Sequence, residues 1–304
     1  MTDPRENIPG AEGQTDGLAI SFELFPVRSD DAQAGLLETV DQLEMASPEF
    51  MSVTYGAGGT TQDRTLGTLI SIIERTSVPA FGHLTCVGAP RAHVDQMVRR
   101  YLEAGVKGIV ALRGDPSGGL QETFTPHPEG YENAAALVKG IRAITDIPVC
   151  VAAYPEKHPQ SPTVEADIDN LKAKIDNGAN RAITQFFFDN ADLYRYLDRL
   201  AVRGINVPVI AGIMPILNFA RLQDFAARCG SRIPQSLAER FAKVASDNES
   251  ARALAVEVAV AQIRDLAANG VRYFHFYTLN RSELSLAICR ELGVPIKAAT
   301  DCAA

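Results

Sequence analysis

Two charged residues close an apolar run near the middle of the chain, Val110-Ala111-Leu112-Arg113-Gly114-Asp115. Residues 108–112 are short and wholly apolar, which predicts a buried strand. Because unpaired charges are costly inside a core, Arg113 and Asp115 should leave that strand at its carboxyl end. Ligands bind at this end in α/β folds, and Gly114 permits a sharp turn or the close approach of a ligand. Taken alone, the stretch is explained equally well by an ordinary strand exit with a local ion pair.

The same arrangement recurs, with polar side chains at or near the ends of other apolar runs. These side chains belong to Glu23, Thr54, His83, Tyr154, His158, Gln185 and Tyr277. Carboxylate, imidazole, phenol and amide groups gathered at one place could transfer protons and orient a polar ligand. The fold must therefore bring the carboxyl ends of several strands together.

Eight apolar runs alternate with stretches of helical spacing, which predicts eight strand–helix units. The strands are expected at 18–25, 50–55, 80–85, 108–112, 149–153, 182–187, 207–213 and 273–278. Continuously apolar strands need helices on both sides of the sheet, and short connections imply right-handed crossovers. We therefore expect an α/β protein with one (β/α)8 barrel of the TIM type over residues 18–304. Two further helices, roughly 235–245 and 249–268, should interrupt the rhythm before the last strand. The alternative is an open doubly wound sheet, although no GxGxxG motif follows a strand.

The composition restricts the class of protein. Of 304 residues, 46% are hydrophobic and 22% charged, which is ordinary for a globular chain. The net charge of −8 argues against nucleic acid as a partner, and no apolar run has the ~18 residues that a membrane helix needs. Residues 1–17 are polar and rich in glycine and proline, so we expect a disordered tail and no targeting peptide. Cys86, Cys150 and Cys289 have apolar surroundings, which indicates buried thiols of a cytoplasmic protein, with no disulfide and no metal site.

Eight short motifs carry a family resemblance. In chain order they are SFELFP, VTYGAGG, HLTC, ALRGD, AAYPEKHP, ITQFFFD, GIMPI and FHFYTLNR. Together they resemble the methylenetetrahydrofolate reductases, in the short bacterial form without a regulatory domain, over roughly residues 18–295. The resemblance implies a flavin-dependent (β/α)8 barrel that reduces 5,10-methylenetetrahydrofolate to 5-methyltetrahydrofolate. It also implies bound FAD, NADH or NADPH as electron donor, a ping-pong cycle and methyl groups supplied for methionine synthesis.

Such a reduction needs a proton for the departing ring nitrogen, stabilisation of a cationic iminium, and a hydride from a fixed direction. Glu23 lies among apolar residues, where a carboxyl keeps its proton more readily, and the resemblance makes it the general acid. The resemblance gives Asp115 the electrostatic role. Without the family match, Glu23 could instead be a structural carboxylate paired with a cation inside the barrel.

The resemblance also assigns binding residues. For the substrate they are Glu23, Thr54, Asp115, Gln185, Phe225, Tyr277 and Arg281. For the flavin they are Thr54, His83, Arg113, Gly114, Asp115, Tyr131, Tyr154, His158, Asp167, Asn170 and Lys174. Helical spacing lets the last three of these face one ligand. Without the match, Gln185 and Phe225 would be core residues, and Asp167 and Lys174 a solvated helix face. The loop of residues 116–130 is assigned no role beyond a possible lid.

Three rival functions stay open from the residues alone. The first is the same reaction without flavin, and the second is a folate- or flavin-binding protein without turnover. The third is an unrelated barrel aldolase or lyase, for which no strand supplies a lysine or a metal cluster. We expect small-molecule partners and, from family habit, a homo-oligomer.

Overall fold

The computed structural model describes residues 17–56, 61–116, 118–119 and 122–297. Among them, eight parallel strands pair in chain order and close into a barrel. The strands are β1 (Ala19–Leu24), β2 (Phe50–Val53), β3 (Ala80–Thr85), β4 (Gly108–Leu112), β5 (Val149–Ala153), β6 (Arg181–Thr184), β7 (Val209–Ile213) and β8 (Tyr273–Tyr277). The expected (β/α)8 barrel is confirmed.

Helices surround the barrel. Those of the described residues are α1 (Asp30–Glu44), α2 (Gln62–Arg75), α3 (Arg91–Glu103), α4 (Ala134–Arg142), α5 (Val164–Asp176), α6 (Asn190–Val202), α7 (Phe219–Cys229), α8 (Gln235–Lys243), α9 (Asn248–Ala268) and α10 (Glu283–Glu291). The two extra helices, α8 and α9, precede β8 as expected. Within the described ranges, no helix is long and apolar enough to cross a membrane.

Two boundaries differ from the sequence-based expectation in ways that affect the site. Strand β6 ends at Thr184, so Gln185 follows the strand and is partly exposed, whereas we expected it inside a buried apolar run. Helix α4 begins at Ala134 and not at Tyr131, because the Asn133 side chain caps it by accepting from the Ala136 N–H. The disordered tail was expected over residues 1–17, of which 1–16 lie outside the described residues, as does most of the glycine-rich stretch after β2.

The barrel interior is apolar at its floor and polar toward its mouth. The floor is formed by Phe50, Phe81, Val110, Cys150, Ile183, Ile210 and Tyr273. Side chains alternate along a strand, so the residues two positions further on also point inward. On β1, β2, β3 and β8 these residues are Ser21, Ser52, His83 and His275, all of them buried. The sequence thus places polar groups directly beneath the carboxyl ends of the strands.

The layer between strands and helices fixes this polar level. Tyr101 of α3 is fully buried and donates from its hydroxyl to the backbone oxygen of His83 over 2.8 Å. The ring fits because β3 has glycine at position 82, where a Cβ would lie 2.4 Å from Tyr101. This contact holds the strand that presents the His83 imidazole to the barrel axis.

Candidate active site

A cavity of about 430 Å³ lies at the carboxyl ends of β4 and β5 and reaches helices α4 and α5. Its volume is within the range of small-molecule sites. Eight of the residues expected to bind flavin line it together: Arg113, Gly114, Asp115, Tyr154, His158, Asp167, Asn170 and Lys174.

Arg113 forms one wall of this cavity. Its guanidinium donates to the Gln160 side chain over 2.7 Å, stands 3.6 Å from Asp115 Oδ1 and lies over the Phe124 ring at 4.7 Å. Phe124 belongs to the loop for which only a lid was considered, so that loop contributes to the wall. Gly114 turns the chain with φ +81°, and a Cβ there would lie 2.5 Å from Val87. A side chain at that position is therefore excluded by both conformation and space.

Lys174 and Asp167 lie inside the cavity rather than on a solvated helix face. The Nζ of Lys174 donates to the backbone oxygen of Ala152 over 2.6 Å. Burial lowers the pKa of Lys174 to about 8, although the nearby carboxylate of Asp167 opposes the shift. Asp167 is 6% exposed and accepts from the Ser161 hydroxyl at 2.8 Å and from the His158 N–H at 3.3 Å. The positive charge of Lys174 therefore lies inside the cavity, where it favours an anionic ligand.

Tyr154 and His158 complete this side of the cavity. Their rings meet edge to face with centroids 4.8 Å apart. Burial raises the pKa of Tyr154 and lowers that of His158, whose pKa the Arg113 cation depresses further. Both side chains are therefore neutral at pH 7 and offer hydrogen bonds without charge.

Glu23 stands near the end of β1, over a pair of imidazoles. Its Oε2 lies 3.5 Å from Nε2 of His83 and 3.9 Å from Nε2 of His275. His83 Nε2 also lies 3.2 Å from the Ser52 hydroxyl. Burial lowers the pKa of His83 to about 4, outweighing the attraction of Glu23, so this ring is neutral at pH 7. The short distance to Glu23 places His83 beneath that carboxylate, and His83 does not line the flavin cavity to which we had assigned it.

An aromatic group occupies the opposite side of the mouth. The ring of Phe225 is 36% exposed and stacks on the buried ring of Phe186, with centroids 5.4 Å apart. Tyr277 donates to the backbone oxygen of Thr184 over 2.7 Å, and burial raises its pKa well above the ordinary value. The side chain of Gln185 hydrogen-bonds the thiol of Cys229. Phe225 and Gln185 thus stand at the surface of the mouth and are not core residues.

Besides these residues, three further expected site residues do not line the cavity at Arg113. Thr54 accepts through its backbone oxygen from Thr65, and its side chain borders a separate cavity beside β1. Tyr131 is buried and donates to Asp95 over 2.6 Å. Arg281 is exposed and lines a third cavity, between α1 and the segment after β8. None of the three lines the cavity that Asp115 lines.

The sequence reasoning missed three residues near the site: Ser21, Phe124 and His275. His275 could have been found from alternation, since it precedes Tyr277 by two positions on one strand and must share its inward direction. The position of Phe124 could not be predicted in this way, because side chains in a loop do not alternate in direction as they do along a strand.

A parallel barrel with ionisable side chains at the carboxyl ends of its strands is the architecture of a TIM-barrel enzyme. The comparisons with known proteins then give the family. Residues 11–293 match the family model described as methylenetetrahydrofolate reductase, and the chain belongs to that family. It is an oxidoreductase, and its relatives support reduction of methylenetetrahydrofolate as its reaction.

Two bacterial relatives named 5,10-methylenetetrahydrofolate reductase illustrate the similarity. The Pectobacterium carotovorum protein is 44% identical over 278 residues, covering 91% of each chain. The Escherichia coli protein is 40% identical, covering 95% of this chain and 94% of its own. Among solved structures, an uncharacterised Clostridium thermocellum protein that binds two copies of 5-methyl-5,6,7,8-tetrahydrofolic acid has a TM-score of 0.61 at 12% identity. The match covers 92% of this chain and 95% of the Clostridium protein. At this level of identity the similarity shows only that the two proteins share a fold.

Proposed function

We propose that this chain reduces 5,10-methylenetetrahydrofolate to 5-methyltetrahydrofolate with electrons from NADH or NADPH, passed through non-covalently bound FAD. The observation that carries the proposal is Glu23, held over two buried imidazoles on the barrel face that also presents Asp115. Simple binding of a folate needs no such acid, whereas opening the methylene bridge needs a proton donor.

The cavity at Arg113 fits a flavin dinucleotide by the chemistry of its lining. Arg113 and Lys174 supply positive charge in an otherwise acidic protein. Ala134 and Ala135 also line the cavity, and they are the first residues of α4. The first N–H groups of a helix have no intrahelical partner, so they suit a phosphate. Asp167 and Asn170 offer further hydrogen bonds to ribose or ribityl hydroxyls.

Each of the chain's own site residues would then have a separate role in the reaction. When bound, the flavin supplies the hydride. Glu23 delivers a proton to the departing nitrogen of the folate imidazolidine ring, and Asp115 places negative charge near the iminium cation that ring opening creates. Gln185 presents both a donor and an acceptor to a pterin edge. Arg113 and Lys174 hold and orient the cofactor.

We further propose a ping-pong cycle, in which the nicotinamide and the folate occupy one position in turn. The exposed ring of Phe225, packed on Phe186, offers one flat apolar surface at the mouth that either ligand can contact. An Arabidopsis thaliana relative, 32% identical over 93% of this chain and 49% of its own length, is named methylenetetrahydrofolate reductase (NADH) 1, which supports a nicotinamide donor.

The proposal extends to the protein's setting. The buried free thiols of Cys86, Cys150 and Cys289 suit a reducing compartment, so we place the protein in the cytoplasm, where its product would serve methionine synthesis. We also propose a homo-oligomer, as family habit suggests. Sedimentation at the monomer mass of 32.8 kDa would reject that part alone.

The test of the cofactor is direct. Purified protein is denatured, and the supernatant is analysed for flavin, while activity is assayed with NADH and methylenetetrahydrofolate. We expect released FAD together with 5-methyltetrahydrofolate formation. Full activity without flavin, and without response to added FAD, would favour direct hydride transfer. Bound FAD without any turnover would favour a binding protein.

A further inference from the structure

Side chains from the segment after β8 hold the backbone that carries Glu23. Strands β1 and β8 pair as far as Glu23 and Tyr277, where their ladder ends. One step further, the hydroxyl of Thr278 donates to the backbone oxygen of Glu23 over 2.6 Å, whereas the backbone nitrogen of Thr278 stands 3.4 Å from that oxygen. The carbonyl of the proposed acid is thus bound chiefly by a side chain.

The side chain of Asn280 takes the place of a strand backbone next to Phe25. Its Oδ1 accepts from the Phe25 N–H over 2.9 Å, and its Nδ2 donates to the Phe25 backbone oxygen over 2.8 Å. The orientation of the amide is settled by these partners, because a backbone N–H only donates and a backbone oxygen only accepts. One amide therefore binds both backbone polar groups of the second residue after Glu23.

The turn that brings Asn280 to this position has an unusual backbone. Leu279 and Asn280 are both left-handed, with φ 53° and 56°. Asparagine tolerates this conformation, whereas leucine rarely adopts it. The turn is also joined to helix α1, since the Ser282 hydroxyl donates to the side-chain oxygen of Gln42. The surrounding contacts thus maintain a costly conformation that places the Asn280 amide against β1.

The opposite edge of β1 is fixed by the neighbouring strand. The Thr54 N–H, directly after β2, donates to the backbone oxygen of Leu24 over 2.9 Å. Leu24 is fully buried, whereas the Glu23 side chain between the two edges is 22% exposed. The direction of a partly exposed carboxyl depends on the backbone that carries it, and Asn280 holds that backbone where the chain leaves the barrel.

We propose that Asn280 is a positioning residue for Glu23, which fixes the end of β1 so that the carboxyl is aimed at the departing nitrogen of the folate. The inference rests on the proposed function, in which Glu23 is the acid. Asn280 acts through the backbone and transfers no proton itself. Misplacing a reacting group by about 1 Å can cost roughly 10²-fold in rate, so a loosened strand end should slow the half-reaction that needs the proton.

Asn280→Gly tests this role, because it removes the amide and keeps a residue that accepts the left-handed turn. Leu279→Gly is the matched control, since it changes the other left-handed residue of the same turn, whose side chain is 43% exposed. Stopped-flow absorbance of the flavin, well below the melting temperature of both variants, follows the two half-reactions. In Asn280→Gly, reoxidation by saturating methylenetetrahydrofolate should slow roughly 10-fold or more, while reduction by NADH stays within about twofold. The control should change neither rate.

A pair of variants at Thr278 separates positioning from packing. Thr278→Val keeps the shape of this buried side chain but removes the hydroxyl that binds the Glu23 oxygen, whereas Thr278→Ser keeps the hydroxyl and loses a methyl group. We expect reoxidation to slow in the Val variant and to be largely retained in the Ser variant. The reverse order would show that packing alone matters at this position and would contradict the proposal.

Hydrogen exchange at the Phe25 amide, measured by mass spectrometry without ligands, gives a readout that does not depend on turnover. This amide should exchange faster in Asn280→Gly than in the wild type or in Leu279→Gly. Equal slowing of both half-reactions, or unchanged reoxidation, would overturn the positioning role. A weaker Kd for the folate at an unchanged limiting rate would also overturn it, and would assign Asn280 to ligand binding in the cavity that it lines with Arg281. A wild type with a protected Phe25 amide but no folate reduction would instead overturn the proposed function.

Discussion

The Nζ of Lys174 donates to the backbone oxygen of Ala152 over 2.6 Å, so this side chain links helix α5 to strand β5. This ammonium has a pKa lowered to about 8 by burial, and it lines the cavity that we assign to the flavin. Its charge is present below that pH and is lost as the pH rises through it.

Lys174→Met should therefore weaken FAD binding roughly 10- to 100-fold, the scale of a hydrogen bond to a charged group. Fluorescence titration of apoprotein with FAD measures the loss. Wild-type affinity should also decline as the pH rises above about 8, and the variant should lack this decline. Lys172→Met is the matched control, because Lys172 lies on the same helix but pairs with Asp176 at the surface. Equal losses in both variants would place the flavin elsewhere.

His83 should make stability depend on pH. Its folded pKa of about 4 lies below the ordinary value of 6.5, so the unfolded chain binds the extra proton between these values. The contribution of the neutral His83 ring to the free energy of unfolding is fully present above about pH 6.5. It is lost as the pH falls toward 4, which lowers that free energy by roughly 3 kcal/mol.

Denaturant unfolding of wild type and His83→Gln at pH 7 and pH 4.5 measures this contribution. The variant should lose less stability than the wild type over that interval. His127→Gln, which changes a loop histidine, is the control and should follow the wild type. Identical losses in all three proteins would show that His83 already carries its proton in the fold.

Phe225→Ala should affect ligands more than the fold. The ring is partly exposed, and its stacking on Phe186 is worth about 1 kcal/mol, so the melting temperature should fall only slightly. Because we assign one apolar surface to both ligands, the KM for NADH and the KM for methylenetetrahydrofolate should rise together. Steady-state kinetics test this, and a change confined to one ligand would contradict a shared position.

Asp115→Asn removes a negative charge near the expected position of the folate cation. The carboxylate is half exposed and 3.6 Å from Arg113, so the fold should tolerate the change. Folate reduction should slow because the iminium loses stabilisation, and the flavin potential should become more positive. Potentiometric titration of the bound flavin measures the second effect. An unchanged potential would place Asp115 away from the flavin ring.

The barrel could be predicted because its signals are local. The three strands Ala80–Thr85, Gly108–Leu112 and Val149–Ala153 are short, mostly apolar runs, and their limits came out as expected. Eight such units in sequence leave few other ways to bury both faces of the sheet. The prediction of a strand's end was less accurate where the following loop is also apolar. Strand β6 ends at Thr184, but Phe186 and Phe187 continue the apolar sequence, so the strand was predicted too long.

The site was only partly predictable, because its groups meet across the barrel. The family resemblance gathered eight residues that do line one cavity. Two other residues that it assigned to the flavin have different partners: Tyr131 pairs with Asp95, and His83 lies beside Ser52 and Glu23. Which of two inward residues reaches a ligand depends on depth along the barrel axis. Sequence alternation gives the direction of a side chain but not that depth.

The central claim is that Glu23 gives its proton to the folate in a reaction separate from flavin reduction. Stopped-flow absorbance of the flavin under anaerobic conditions tests it most directly, by following reduction by NADH and reoxidation by methylenetetrahydrofolate separately. In Glu23→Gln, reduction should proceed nearly as in the wild type, whereas reoxidation should slow by on the order of 10²-fold or more, the scale of a positioned general acid. Equal slowing of both half-reactions would show that Glu23 is structural and would contradict the account.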